Sequence, residues 1–413
     1  MKQLRINQNY LLLKNWWESL DLTNYEKSVF NREIISFNQQ LFRLKEKKIR
    51  IGAYGKSGVG KSSVLNSLLD KDIFKINIIN GTTREIQKEN WSIEDQILKS
   101  IVLIDSPGFD FCNIKFPEKI YSNINYSDLI LFVVAGDINR NEVNELNSFI
   151  KDGKKIIIIL NKIDLLKKNE LKEIIENINS KLPKDLNIPI IINNKNNVKN
   201  YITKIINQYG EKLLTLNSLQ LADKLFLKIK EQRLKKRQKL AQSTIGKFST
   251  IKASAVALNP FIFLDVAGSF ALDTALISEL SKIYGLNLRG ESTRKIFHNI
   301  SINNLFLGVT QIGINTSFNL IRKVFLLAAP ITSGLSLLPY GPIAIVQAAI
   351  ALHSTKILGK LAAKEIFIRS KVSYIEPSTM IQNITFKDQD IFNHINIYLL
   401  NRNLNNKFTS FLP

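Results

Sequence analysis

The chain is expected to fold as an α/β domain, a mostly parallel sheet flanked by helices, followed by an apolar α-helical domain. Three observations predict this. From residue 49 onward, short β-rich apolar runs alternate with helical stretches, as in a parallel sheet covered on both faces. The first run passes directly into a glycine-rich loop and then a helical stretch, Ser63–Leu69. Beyond residue 244 the alternation stops and long apolar stretches at helical spacing replace it.

A length of 413 residues leaves room for two or three domains, each with its own core. Hydrophobic content of 45% with only 10 prolines and 18 glycines argues against a disordered chain. The net charge of +22 points to an anionic partner, nucleic acid or an anionic membrane face. A visible richness in Lys, Asn and Ile, of the kind AT-rich genomes such as those of plastids produce, raises the charge as well. The single cysteine, Cys112, excludes an internal disulfide framework and fits a reducing compartment. The first ten residues lack the apolar core of a secretory signal and the Ser/Arg bias of a transit peptide. The chain is therefore expected not to be secreted and, if it resides in an organelle, to be made there.

In chain order, residues 10–48 carry Leu11, Leu13, Trp16, Trp17, Leu20, Phe37, Leu41 and Leu44 near helical periods and predict a helical hairpin packed on the next domain. The pair Trp16-Trp17 is expected in its core. Strands are expected at Ile49–Tyr54, Gln87–Ile93, Ile97–Asp105, Leu129–Ala135, Ile156–Leu160 and Ile188–Ile192. Ligands of such sheets bind at the carboxyl ends of strands, and the polar signatures fall there.

The loop after the first strand, Gly55-Lys56-Ser57-Gly58-Val59-Gly60-Lys61-Ser62, with Ser63 after it, has the spacing that cradles a nucleotide triphosphate. Glycines let several backbone N–H groups approach one phosphate chain. Lys61 would neutralise the β- and γ-phosphates, and the Ser62 hydroxyl would ligate Mg²⁺. Asp105-Ser106-Pro107-Gly108 ends another strand, so Asp105 can hold Mg²⁺ through water and Gly108 can offer its N–H to a γ-phosphate. Between them, Gly81-Thr82-Thr83-Arg84-Glu85 is a candidate switch whose threonine hydroxyl would complete the Mg²⁺ shell. Asn161-Lys162-Ile163-Asp164 follows Ile156–Leu160; the Asp164 carboxylate can accept two hydrogen bonds from guanine, and adenine would leave it unpaired.

Taken in this order, residues 49–210 resemble the translation-factor-related small GTPases of the Era and TrmE type. The resemblance implies a P-loop GTPase domain that binds GTP and GDP with Mg²⁺, with Thr83 as the metal-binding threonine ahead of Thr82. Where many such proteins carry an asparagine for an activating potassium ion, this loop has Gly58, and a potassium requirement does not carry over. Phe109 stands where Ras-like enzymes have the glutamine that orients water, which implies slow intrinsic hydrolysis. The last guanine-binding motif, usually Ser-Ala, is replaced by Asn193-Asn194-Lys195.

The following stretch, residues 201–242, is helical and increasingly basic, from Lys224 and Lys228 to Lys236, Arg237 and Lys239 among Leu221, Leu225, Phe226, Ile229, Leu234 and Leu240. Such a helix suits an anionic membrane surface, nucleic acid, or a solvated link between domains. Residues 253–284 are strongly apolar yet carry Asp265, Asp273 and Glu279, which a packed hairpin tolerates and a lipid-facing helix does not. Residues 324–355 lack Asp, Glu, Lys and Arg but are broken at Pro330, Gly334, Pro339, Gly341 and Pro342, leaving two halves each short of the roughly 20 residues of one crossing.

Asn259-Pro260, Leu280 to Gly285 and this broken hairpin resemble the YcjF-type domain of unknown function attached to Era-like GTPases in cyanobacteria and some plastids. The expected organisation is a helical prefix (1–48), the nucleotide domain (49–212), a basic helical link (213–243), an apolar helical domain (244–372) and a polar tail (373–413). Expected partners are GTP, a membrane surface, and a second copy or an activating protein; RNA is the alternative, against which no Gly-x-x-Gly clamp occurs in the C-terminal half. A plastid, or the cytoplasm of a cyanobacterial-type cell, is the expected location.

Overall fold

In this computed structural model the described residues are 2–74, 86–92, 100–110, 124, 126–194, 196–258, 266–286, 340–369, 376–386 and 389–405. Three helices open the chain: α1 (Lys2–Ser19), α2 (Asn24–Val29) and α3 (Asn31–Glu46). The expected hairpin is thus broken a second time. Thr23 and Glu26 form a reciprocal cap that starts α2, and Lys47, in a left-handed conformation at φ 54°, ends α3. Trp16 is buried, edge-on to Phe37 and Phe226 at 6.1 Å from each ring, so the tryptophan serves the core.

The nucleotide half then alternates β1 (Lys48–Tyr54), α4 (Lys61–Leu69), β2 (Gln87–Trp91), β3 (Ser100–Asp105), β4 (Leu129–Val134), α5 (Arg140–Lys151), β5 (Ile156–Leu160), α6 (Lys168–Lys181) and β6 (Ile190–Ile192). One six-stranded sheet results, in the order β2-β3-β1-β4-β5-β6. All pairs are parallel except β2 with β3, where Gln87 lies opposite Asp105 and Trp91 opposite Ile101. Too few residues separate Trp91 from Ser100 for the crossover that a parallel pair needs. Every residue of β4 and β5 is buried, which is why these runs show no alternation of apolar and polar residues.

The chain divides into two compact units, residues 1–229 with 375–406 and residues 230–374 with 407–413. Helix α7 (Asn197–Leu258) contributes to both. In the first unit Leu225, Phe226 and Ile229 of α7 join Ile51, Leu131 and Ile159 of the sheet in one core. The apolar side of the basic stretch up to residue 229 is therefore taken up by packing. Residues 376–405, in which no sequence motif stands out, form α10 (Pro377–Thr385) and α11 (Gln389–Asn405) and pack in this unit. Tyr398 Oη and Arg402 Nε both donate to Asp223 Oδ2 of α7 at 2.8 Å, and Arg402 Nη2 donates to Glu376 Oε2 at 2.6 Å.

A second polar network lies at the end of the sheet opposite the glycine-rich loop. Asp128 accepts from Arg43, from the backbone N–H of Arg50 at 2.8 Å, and from Asn217 Nδ2 at 2.7 Å. Lys154, itself buried, donates to Asn217 Oδ1 at 2.5 Å. Burial lowers the Lys154 pKa from 10.5 to about 7, and lowers those of Lys61 and Lys155 to about 8. Between these values and the unfolded pKa, the unfolded chain binds more protons than the folded one, so stability rises with pH. The nucleotide-free chain is expected to show a melting temperature that climbs from pH 7 to pH 9, at most about 1.4 kcal/mol per pH unit for each group. Calorimetry across that range checks it, and Lys154→Met should flatten the slope.

The described residues of the second unit are helical except for the turn at 284–286: the later part of α7, α8 (Val266–Ile283) and α9 (Tyr340–Arg369). Its core joins Ile245, Leu276, Leu280, Ala362 and Ile366. Asp273 forms a buried ion pair with Lys252, both carboxylate oxygens at 2.8 Å from Nζ, while Glu279 pairs with Lys282 at the surface at 2.6 Å. The two described acids of this apolar stretch, Asp273 and Glu279, are thus paired, as a packed helix pair requires. Asp265 and residues 324–339 lie outside the described residues. Among the described residues no helix is long and apolar enough to cross a membrane.

Candidate nucleotide site

The glycine-rich loop joins the carboxyl end of β1 to the N-terminus of α4, in the middle of the sheet. Gly60, at φ 91°, is the residue before the helix and offers no side-chain cap, so the first-turn N–H groups of α4 stay free for an anion. A Cβ on Gly60 would run into the Asn161 amide. Lys61 lies curled onto the loop, its Nζ donating to the carbonyls of Gly55 at 3.1 Å and Lys56 at 2.6 Å. Burial holds its pKa at about 8, and a phosphate beside it would restore full charge. Lys56 is drawn aside by Glu142 of α5 at 3.0 Å.

Asp105, at the end of β3, is fully buried and its Oδ2 accepts from Ser62 Oγ at 2.5 Å. Its other oxygen, Oδ1, has no hydrogen-bond partner among the described residues. Burial raises its pKa despite Ser62 and Lys61. An orphaned buried carboxylate oxygen beside a hydroxyl is the oxygen donor set that a hard divalent cation takes, so the two residues fit Mg²⁺. Among the described residues no cluster of three or more His, Cys, Asp or Glu could hold a metal, so water and phosphate oxygens would complete the shell. Thr83, Thr82 and the rest of the candidate switch lie outside the described residues.

Ser106 Oγ, through its bond to the carbonyl of Ala53 at 2.7 Å, ties the segment after β3 to β1. Gly108 then packs directly against the backbone of Ser57, where any side chain would collide with it. Phe109 stacks on Tyr54 at 5.5 Å and 15°, its ring turned into the apolar cluster and away from any water-positioning role.

Asn161 is buried at the end of β5 and connects the two halves of the site. Its Nδ2 donates to the Val59 carbonyl of the loop at 2.9 Å, and its Oδ1 accepts from Asn193 Nδ2 at 2.8 Å. Lys162, at φ 56°, turns the chain into a short 3-10 helix, Ile163–Leu165, that leaves Asp164 exposed and open to a base. The structure therefore brings Gly55 to Ser63, Asp105, Gly108 and Asn161 together at one end of the sheet. Sequence reasoning left two contributors unassigned. Asn193, after β6, orients Asn161; Asp110 accepts from Ser57 N at 2.6 Å. The place of Asn193 where a guanine motif belongs was the available signal; for Asp110 there was none.

Comparison with known proteins agrees with this geometry. Residues 50–162 match the family model described as 50S ribosome-binding GTPase, and residues 220–387 match that of a domain of unknown function, DUF697. The chain is 35% identical over 164 residues to GTPase Era of Borreliella burgdorferi, covering 38% of this chain and 55% of that protein. It is 36% identical over 121 residues to GTPase Der of Nautilia profundicola, covering 28% of this chain and 26% of that protein. A crystal structure of Aquifex aeolicus Era bound to GDP and AlF4⁻ is similar at 25% identity with a TM-score of 0.34, covering 40% of this chain and 57% of that one. The match thus spans about half the length of the Era relative and about a quarter of the Der relative. Residues 50–162 are thus similar to a GTPase domain with Era-like relatives, and residues 220–387 to a domain of unknown function.

Proposed function

We propose that the chain is a slow, Mg²⁺-dependent GTP switch that acts at a membrane through its helical region. The observation that carries the nucleotide part is the Asn161 side chain, which couples the phosphate loop to the base-selecting turn. Lys61 and the loop N–H groups would hold the phosphates, Ser62, Asp105 and Thr83 the Mg²⁺, Gly108 the γ-phosphate, and Asn161 with Asp164 the guanine. The metal supplies charge neutralisation for phosphoryl transfer when bound. Water would attack the γ-phosphorus and GDP would leave with the β-phosphate oxygen. Phe109, stacked into the core, offers that water no hydrogen-bonding group, which supports slow turnover without an activating partner or a second copy.

Membrane action is supported by one exposed face of α7 in the second unit. Lys236, Lys239, Leu240, Ser243, Lys247 and Ile251 are all exposed and share that face at helical spacing, mixing cations with apolar side chains as a helix on an anionic surface does. The lysine-, asparagine- and isoleucine-rich composition supports a plastid or cyanobacterial-type cell. Purified chain is expected to hydrolyse GTP and not ATP with Mg²⁺, and to pellet with anionic vesicles more completely with a non-hydrolysable GTP analogue than with GDP. Equal turnover of ATP and GTP would refute guanine selection. Sedimentation with ribosomal subunits in place of vesicles would transfer the switch to RNA.

A further inference from the structure

Asp110, two residues beyond Gly108, occupies the phosphate loop itself. The Ser57 N–H donates to Asp110 Oδ1 at 2.6 Å, a charge-assisted bond of the type a phosphate oxygen makes with a loop amide. The same carboxylate lies close enough to Lys61 to work against the burial that lowers the lysine's pKa. The two residues before it anchor its position: Gly108 is packed on Ser57, and Phe109 is stacked on Tyr54, whose hydroxyl donates to Glu145 Oε2 at 2.7 Å. Ser57 sits against Gly108, the residue placed to meet a γ-phosphate, so the bond falls on the γ-phosphate side of the loop.

We propose that Asp110 is a surrogate for the terminal phosphate that biases this site toward GDP. The inference rests on the nucleotide assignment of the site. GDP leaves the contact between Asp110 and Ser57 in place. GTP brings a like charge to the same amide and must displace the carboxylate, and loss of phosphate after hydrolysis lets it return. Asp110 therefore determines which nucleotide the resting chain holds.

Titration of the full chain with fluorescent GDP and a fluorescent non-hydrolysable GTP analogue measures both dissociation constants. Asp110→Asn keeps the size and an acceptor oxygen and removes only the charge. The ratio of the GTP Kd to the GDP Kd is expected to fall about tenfold, the size of one like-charge contact near the surface. Asp110→Ala should move it in the same direction. In the unaltered chain the ratio should also fall as NaCl rises from about 0.05 to about 0.5 M, and in Asp110→Asn it should barely respond. A ratio that is unchanged or raised in both variants, with both nucleotides still bound, overturns the role of Asp110 alone. Failure of the unaltered chain to bind either nucleotide overturns the nucleotide site, and this role with it.

Discussion

Asp164→Asn is expected to lower GTP affinity by roughly a hundredfold or more and to raise affinity for xanthosine triphosphate correspondingly, because two hydrogen bonds to a charged acceptor are at stake. Guanine presents two donors, its N1–H and its exocyclic amine, to a carboxylate. Asparagine offers one acceptor and one donor, which suits the N1–H and C2 carbonyl of xanthine. The Asp164 side chain is exposed on the 3-10 helix after β5, so its replacement touches no core packing and the effect should appear in binding alone. Competition of XTP against labelled GTP measures the exchange of preference. GTP affinity unaltered by the substitution would mean that the base docks elsewhere.

Asp128→Ala is expected to be the most destabilising single change in the first unit, by about 3–5 kcal/mol, the usual cost of leaving a buried charge without its partner. The Asp128 side chain is wholly inaccessible and that of Arg43 is 5% exposed. Removal of the carboxylate leaves Arg43, the Arg50 N–H and Asn217 Nδ2 facing an empty position. Urea unfolding of the nucleotide-free chain reads the loss. Arg43→Met added to Asp128→Ala should return part of it, since the double variant buries no unpaired charge. A loss below about 1 kcal/mol would show that water replaces the carboxylate.

The contrast between these two residues explains what the sequence makes legible. Asp164, Asp105 and Lys61 belong to short segments in which backbone, spacing and chemistry are specified together. Gly60 is required by its positive φ, and the hydroxyl of Ser62 follows directly on Lys61 at the start of α4. Such demands are local, so a reader of residue types can find them. Asp128 and Arg43 are 85 residues apart, and the helical period around Arg43 does not name its partner. Their meeting is decided by the strand order of the sheet and the path of α3 and α7.

The same reasoning covers the strands. β4 and β5 announce themselves as unbroken apolar runs, whereas the antiparallel setting of β2 follows from the short link to β3, which no propensity records. Helices α10 and α11 are the clearest illegible elements. Their sequence carries no motif; Ile381, Phe392, Ile395 and Leu399 seat them in the core, and Tyr398 and Arg402 meet Asp223, which lies 175 residues before Tyr398 on α7.

That return of α10 and α11 also bears on the order in which the molecule is made. The unit that holds the nucleotide site is assembled from residues 1–229 and 375–406, with the whole of 230–374 encoded between them. A ribosome thus delivers residues 230–374 of the second unit before it delivers the last pieces of the first. Until Tyr398 and Arg402 emerge, Asp223 has neither of its partners and the face that α11 covers stays open. The nucleotide-binding unit is complete only after residues 230–374 have been made, so its completion certifies that this intervening region has been translated.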